Sequence, residues 1–340
     1  MKVDALCAGE LTTAAEIARA AERLGCDGLV VPEVAHDPFL PLGLAAAATE
    51  RIQLTTGIAV AFARNPMTVA VVASDLHRFS GGRLTLGLGS QIKPHITRRF
   101  SMPWSQPAAR MREFVQALRA IWTSWDTGDK LDFRGDFYQH TLMTPMFSHG
   151  PSPVGHPKVY VAAVGPAMTA VAGEVADGLC THGFTTAEYV RQVTIPHLEE
   201  GLKRAGRTRA DVEVTIPAMT AIVEDERDSK LDSLRATIAF YGSTPAYRPV
   251  LDLHGFGALG DELHTLSVRG DWAAMAKIIP DELVHTMAVV GSAAEVGKEI
   301  RSRYAGAADR IQTSVLANDA QMLDLIGQLS ANDSSDSVVG

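Results

Sequence analysis

Residues 52–90 read IQLTTGIAVAFARNPMTVAVVASDLHRFSGGRLTLGLGS. Ile52–Val60 is apolar or β-branched apart from Gln53 and Gly57, Pro66 opens an amphipathic stretch, and Leu84–Gly89 is again nearly all apolar. Strand, helix and strand in this order form a βαβ unit, and strands that are apolar throughout are buried on both faces, as in a parallel sheet. The rhythm extends in both directions. Six further runs, Val3–Cys7, Gly28–Pro32, Lys158–Ala163, Gly178–His182, Val212–Val223 and Arg310–Leu316, bring the count to eight, the number that closes a barrel. Thr12-Thr13-Ala14-Ala15-Glu16 offers a helix cap followed by an early carboxylate, and other helices start near Pro66, Pro107, Pro166 and Ala187. The sequence therefore predicts an α/β fold, a (β/α)₈ TIM-type barrel forming a single domain over residues 1–330. Glu224–Val290 is far longer than one crossover and is read as an insertion between strands 7 and 8, at about 224–290, that covers the barrel mouth. The Ser/Asp-rich segment 331–340 is expected to be a disordered tail. An open doubly wound sheet is the other architecture this alternation allows, but Ala8-Gly9-Glu10 after the first strand lacks the G-x-G-x-x-G fingerprint.

With 340 residues and 46% hydrophobic content the chain can bury a large core. A net charge of −8 argues against a nucleic-acid surface. Cys7, Cys26 and Cys180 are far apart and show no C-x-x-C spacing, so neither a disulfide framework nor a metal site is expected. Met1–Leu6 lacks the order of a signal peptide, and Gly165-Pro166 interrupts the longest apolar stretch, Val159–Val175. A cytoplasmic enzyme with no membrane contact is expected. Neither H-E-x-x-H nor G-x-S-x-G is present, which leaves metalloprotease and serine-hydrolase chemistry without support.

In such a barrel the residues just past each strand build the site. Glu33 and His36 follow the second strand; they suit proton exchange near neutral pH, or equally a helix cap and a surface imidazole. Gly57 and Ile58 sit where the third strand is expected to bulge. Gly89 and Ser90 end the fourth strand, where small residues let backbone approach a phosphate or a flat ring. Ala163, Val164, Gly165, Pro166 and Ala167 lead into a proline-started helix, whose free N–H groups either face a phosphate or simply begin an ordinary helix. Lys93, Arg98 and Arg99 form the one local basic cluster, a solvated face or a hold for an anionic cofactor tail.

Taken together, the run Asp75–Ser90, the Gly165-Pro166 turn and Arg64-Asn65-Pro66 resemble the luciferase-like monooxygenase superfamily, in its branch of coenzyme F420-dependent oxidoreductases. The resemblance covers most of the chain, from Met1 to about Leu329. It implies a non-prolyl cis peptide at the third-strand bulge, for which Gly57-Ile58 is the bond, propping the deazaflavin ring from behind. It also places Gly89 and Ser90 by the ribityl-phosphate arm, Ala163–Ala167 on the other side, and Glu33 and His36 at the ring edge. Relatives that oxidise sugar phosphates keep Asp-His after strand two and a glutamate after strand four, whereas this chain has His36-Asp37 and Gln91-Ile92. The Gly-Ile pair is closer to the methylene-tetrahydromethanopterin reductase branch, which suggests reduction of an imine or activated alkene.

The expected function is thus hydride transfer between C5 of F420 and a small hydrophobic organic substrate, with His36 as proton donor oriented by Glu33. Substrate contacts are expected from Phe39, Phe62, His95, Trp104, Tyr241 and Tyr247. Two alternatives stand beside this reading: an FMN-dependent monooxygenase on the same barrel, and a non-catalytic ligand-binding barrel. The resemblance further implies a homodimer through the helices after strands two and three, where Leu44–Ala48 and Val69–Ala73 offer small-residue faces.

Overall fold

The computed structural model describes residues 1–8, 10–223, 229–314 and 319–331. Eight strands close a parallel barrel: β1 (Lys2–Leu6), β2 (Gly28–Val31), β3 (Gln53–Thr56), β4 (Leu84–Gly89), β5 (Lys158–Ala162), β6 (Gly178–Cys180), β7 (Glu213–Pro217) and β8 (Arg310–Ser314). Pairing runs around the ring, with β1 against β8 from Lys2↔Arg310 to Leu6↔Ser314 and β3 against β4 through Leu54↔Leu84. The expected closed barrel is therefore the fold, and its strands are buried along nearly their whole length. Around it lie α1 (Ala14–Arg23), α2 (Phe39–Ala48), α3 (Pro66–Phe79), α4 (Pro107–Thr127), α5 (Pro166–Val175), α6 (Ile195–Arg204), α7 (Ala293–Tyr304) and α8 (Asp319–Ser330).

Two of the expected strands are divided. The run Ile52–Val60 stops at Thr56, its Gly57–Ile58 peptide is cis, and Ala59–Val60 resumes alongside β4, opposite Leu88 and Gly89. The run Val212–Val223 leaves the barrel after Pro217, which has no N–H to extend a ladder. Met219–Ile222 then pairs in parallel with Ala288–Gly291, outside the barrel. Between those two strands the described residues form helices 229–242, 248–253, 257–269, 272–277 and 281–287 around their own apolar cluster, which includes Ile238, Leu251, Leu263 and Leu283. We call this segment the cap. Glu224–Asp228, Val315–Leu316 of the expected last strand, and 332–340 of the expected tail lie outside the described residues. Among the described residues no helix is long and apolar enough to cross a membrane.

The Ser80-Gly81-Gly82-Arg83 turn has a mechanical role. Gly81 and Gly82 take φ of 68° and 90°, open to glycine at little cost. They swing Arg83 beneath α2, where its guanidinium donates to the carbonyls of Ala46, Thr49 and Ile52. Those carbonyls end α2 and start β3, so one side chain satisfies acceptors the helix leaves open.

The end of the barrel opposite the cap is plugged by charge. Arg310 on β8 makes a bidentate pair with Asp4 on β1, at 2.8 and 2.5 Å, with both side chains 3% exposed. Gly28 faces this pair because a Cβ there would stand 2.3 Å from Asp4 Oδ1. Nearby, Glu213 accepts from the Tyr160 hydroxyl and pairs with Lys2 and Lys158. Burial alone would raise the Glu213 carboxyl, but the Tyr160 hydroxyl and the Lys2 ammonium outweigh it and hold the group at about 2.

Replacing one member of a buried pair leaves the other uncompensated. Arg310→Met is expected to cost about 3–5 kcal/mol in denaturant unfolding; a loss below about 1 kcal/mol would show that the pair does not join the barrel's first and last strands. Because the folded Glu213 carboxyl lies below its ordinary value near 4.5, its stabilisation is complete above that pH and is lost as pH falls toward 2. Glu213→Gln should flatten the acid limb of stability in that window, as followed by circular dichroism at stepped pH.

Candidate active site at the carboxyl ends of the strands

A cavity of about 990 Å³ opens at the carboxyl ends of the strands, between the barrel mouth and the cap. Its floor is a ledge made where β3 and β4 approach too closely for side chains. A Cβ on Gly87 would lie 2.0 Å from the Thr56 carbonyl oxygen, and one on Gly89 would lie 2.7 Å from the Ile58 side chain. Thr56 Oγ1 donates to the Gly87 carbonyl at 2.7 Å, tying the strands at that point.

Bonds from β2 fix the ledge from the other side. Gly57 N–H donates to the Val31 carbonyl at 2.8 Å, and Glu33 N–H donates to the Ile58 carbonyl at 3.2 Å. The Glu33 carboxylate accepts from Val60 N–H at 2.7 Å and pairs with Arg64 at 2.6 Å, and Arg64 reaches Asp37 at 2.7 Å. Gly57 and Ile58 therefore reach the cavity floor held on three sides.

Of the residues singled out from the sequence, Gly57, Ile58, Gly89, Ser90, Ala163, Val164, Tyr241 and Tyr247 line this one cavity. Gly165, Pro166 and Ala167 lie exposed just past its wall, with Gly165 capping α5 and Pro166 in its first turn. The others lie elsewhere. The expected pairing of Glu33 with His36 is not formed, because the Glu33 carboxylate is taken by Val60 N–H and Arg64. His36 is half exposed, with Nε2 3.8 Å from Glu10. Phe62 is wholly buried behind the ledge, under Arg110 at 4.5 Å and edge-on to Trp104 at 5.9 Å, so it packs the core rather than contacting a ligand. Phe39 is buried in the first turn of α2 with Arg64 over its ring at 5.6 Å. His95 and Trp104 belong to the loop after β4, outside the cavity wall. That loop carries three residues with left-handed backbone, Gln91, Ser101 and Gln106.

The cavity brings in residues the sequence reading passed over. His182 follows β6 and stacks on Tyr247, with centroids 4.4 Å apart, while Tyr241 meets it edge-on at 4.7 Å. Phe184 N–H donates to His182 Nδ1 at 2.9 Å. Burial pushes the imidazole down to about 4, so it is neutral above that pH. From the cap, Lys230, Ser233 and Thr237 face the same space, and Lys230 Nζ donates to the Ile222 carbonyl at 2.6 Å. The strand-end rule that selected Ser90 also selects His182, which closes the run Gly178–His182. Lys230, Ser233 and Thr237 had no such signal, since their helix is placed by cap packing.

A closed parallel barrel with one wide cavity at the carboxyl ends of its strands, floored by small residues and roofed by an insertion, is the layout of a barrel enzyme. The luciferase-like monooxygenase profile matches residues 4–310; the chain belongs to that family and is an oxidoreductase. It is 50% identical over 326 residues to an uncharacterized protein of Mycobacterium tuberculosis, covering 95% of this chain and 96% of that one. It is 27% identical over 296 residues to 5,10-methylenetetrahydromethanopterin reductase of Archaeoglobus fulgidus, with 84% of each chain covered. In fold it is similar to coenzyme F420-dependent tetrahydromethanopterin reductase from Methanopyrus kandleri, with a TM-score of 0.79 and 20% identity over 96% of this chain and 97% of that one.

The geometry separates the roles of Glu33 and His36. Glu33→Ala strips partners from Val60 N–H and Arg64 and should cost about 2–3 kcal/mol of stability. His36→Ala, at an exposed position, should stay within about 0.5 kcal/mol. Denaturant melts of both variants decide this, and equal losses would contradict the placement.

Proposed function

We propose that this protein is a coenzyme F420-dependent oxidoreductase acting on a small hydrophobic organic substrate. The observation that carries the reading is the glycine-built ledge, where Gly57, Ile58 and Gly89 leave a flat floor in the cavity. A Cβ on Gly57 would meet Val30 and one on Gly89 would meet Ile58, so the glycines let the Ile58 side chain lie down against β4 as an apolar floor on which a planar tricyclic ring would rest. Ser90, Ala163 and Val164 flank it with small groups, and the N-terminus of α5 presents free N–H groups suited to a phosphate. The similarity to proteins named as F420-dependent supports the same cofactor.

When bound, reduced F420 supplies a hydride from its C5. The protein's own contribution is positional: Ile58 would support one face of the ring, and the cap would enclose the substrate on the other and keep out water. Glu33 holds the ledge through Val60 and Arg64, a positioning role, and His36 stands outside the cavity wall. The space between Ile58 and the cap residues Leu234, Tyr241 and Tyr247 is apolar and aromatic, which suits a hydrophobic substrate. We read residues 1–330 as one barrel unit in which the 224–290 segment is this cap. The chain is further proposed to act as a homodimer in the cytoplasm, with Leu40 and Leu44, exposed on α2, packing against a second copy.

Titration of the purified protein with F420 and with FMN, each oxidised and reduced, tests the cofactor. Binding of F420 at least about tenfold tighter, a difference of about 1.4 kcal/mol, is expected. Tighter FMN binding with oxygen uptake during turnover would replace this reading with a monooxygenase. Light scattering tests the assembly: the wild type should be dimeric and Leu40→Glu/Leu44→Glu monomeric, and a monomeric wild type would contradict the proposal.

A further inference from the structure

The cavity holds a second chemical device besides the cofactor ledge. His182, Tyr241 and Tyr247 form one aromatic cluster, with ring centroids between 4.4 and 6.0 Å apart, and all three line the cavity. Because Phe184 N–H already donates to His182 Nδ1, that nitrogen is an acceptor, and the neutral ring carries its hydrogen on Nε2. Among the described residues no partner takes the Nε2 hydrogen. Nor does either tyrosine hydroxyl make a hydrogen bond to the described residues. A half-buried donor without a protein partner loses hydrogen bonding to water when the cavity closes, unless a ligand supplies an acceptor.

From this geometry we infer that His182 Nε2–H, on the ring stacked against Tyr247, is the site that binds an acceptor oxygen of the substrate, with the Tyr247 hydroxyl as a second donor in the same cavity, so that the substrate is a carbonyl compound such as a ketone or enone. The inference deepens the proposed function, on which it rests for the identity of the reaction. His182 offers only a donor to the cavity, so the group opposite it must accept. The charge of the wall agrees: among the described lining residues there is no carboxylate to hold a cationic substrate, and Lys230 is the sole charged side chain. The stack on Tyr247 and the Phe184 bond to Nδ1 hold the imidazole plane, so a substrate oxygen would meet a fixed rather than a mobile donor. The Nδ1 acceptor, and with it the Phe184 bond that sets the tautomer, persists across the working range, because the imidazole gains its second proton only near pH 4.

The test uses the cofactor-free full chain as well as the F420-loaded protein, so that failure of F420 binding and failure of this site are separate results. Nitrogen-15 NMR of the imidazoles at pH 7 should show His182 protonated on Nε2, and cyclohex-2-enone should shift that resonance whereas methylenecyclohexane, which lacks the oxygen, should not. His182→Phe keeps an aromatic stack without the donor and is expected to weaken cyclohex-2-enone binding about tenfold. His182→Gln restores an N–H and should recover most of that affinity, while both variants bind F420 as the wild type does. Tyr247→Phe gives a second reading should His182→Phe not fold, with a loss of several-fold expected. A His182 protonated on Nδ1, or equal enone affinity in the wild type, His182→Phe and Tyr247→Phe, would overturn the inference.

Discussion

The site depends on how closely β3 and β4 approach one another. At Gly87 the two backbones are so near that a methyl group would overlap the Thr56 carbonyl, and at Gly89 it would overlap Ile58. This proximity moves the chain after Thr56 out of ordinary strand pairing and lets Ala59–Val60 rejoin β4 two residues later. Ile58 is thereby carried from the barrel wall to the floor of the mouth. The neighbouring strand answers this shape with polar bonds, since the Glu33 and Val31 backbones, the Glu33 carboxylate and Arg64 all meet the displaced segment. Backbone groups that lose ladder partners need substitutes when buried, and Glu33 supplies one for Val60. A carboxylate that looks catalytic from sequence is thus occupied in holding the floor.

Much of the barrel was legible because buried parallel strands are nearly all apolar, as in Val3–Cys7 and Leu84–Gly89, and because such short runs alternate with amphipathic stretches along the whole chain. The divisions within Ile52–Val60 and Val212–Val223 were harder to see. Composition does not change where the first bends around a cis bond or where the second passes from barrel to cap. Strand-end reasoning brought Gly57, Ile58, Gly89, Ser90, Ala163 and Val164 to one cavity. It failed for Phe39, Phe62 and Trp104, though Tyr241 and Tyr247 of the insertion do line the cavity: Phe62 looks like a ligand contact, yet it fills the space behind the ledge, and only the positions of Arg110 and Trp104 reveal that. Glu33 and His36 are three residues apart in sequence, but the turn after β2 sends their side chains to different partners.

The division of labour follows from which parts are rigid. Barrel strands, tied to both neighbours and plugged at the far end by Asp4 and Arg310, suit the cofactor floor, where small errors of position matter. The cap has a separate apolar cluster and meets the barrel through the short Met219–Ile222 strand and the ring cluster over His182. Its polar residues Lys230, Ser233 and Thr237 face the floor across the cavity. Substrate selection can then change through cap residues without disturbing the ledge, which agrees with one barrel serving many chemistries.

The most direct check of the central claim is a crystal structure of the protein soaked with reduced F420. The deazaflavin ring should lie on the Gly57–Ile58 ledge, with its phosphate near the N-terminus of α5 and one face open toward His182 and Tyr247. A ring bound under the cap away from Ile58, or turned so that its C5 is closed off from the cavity, would contradict the account.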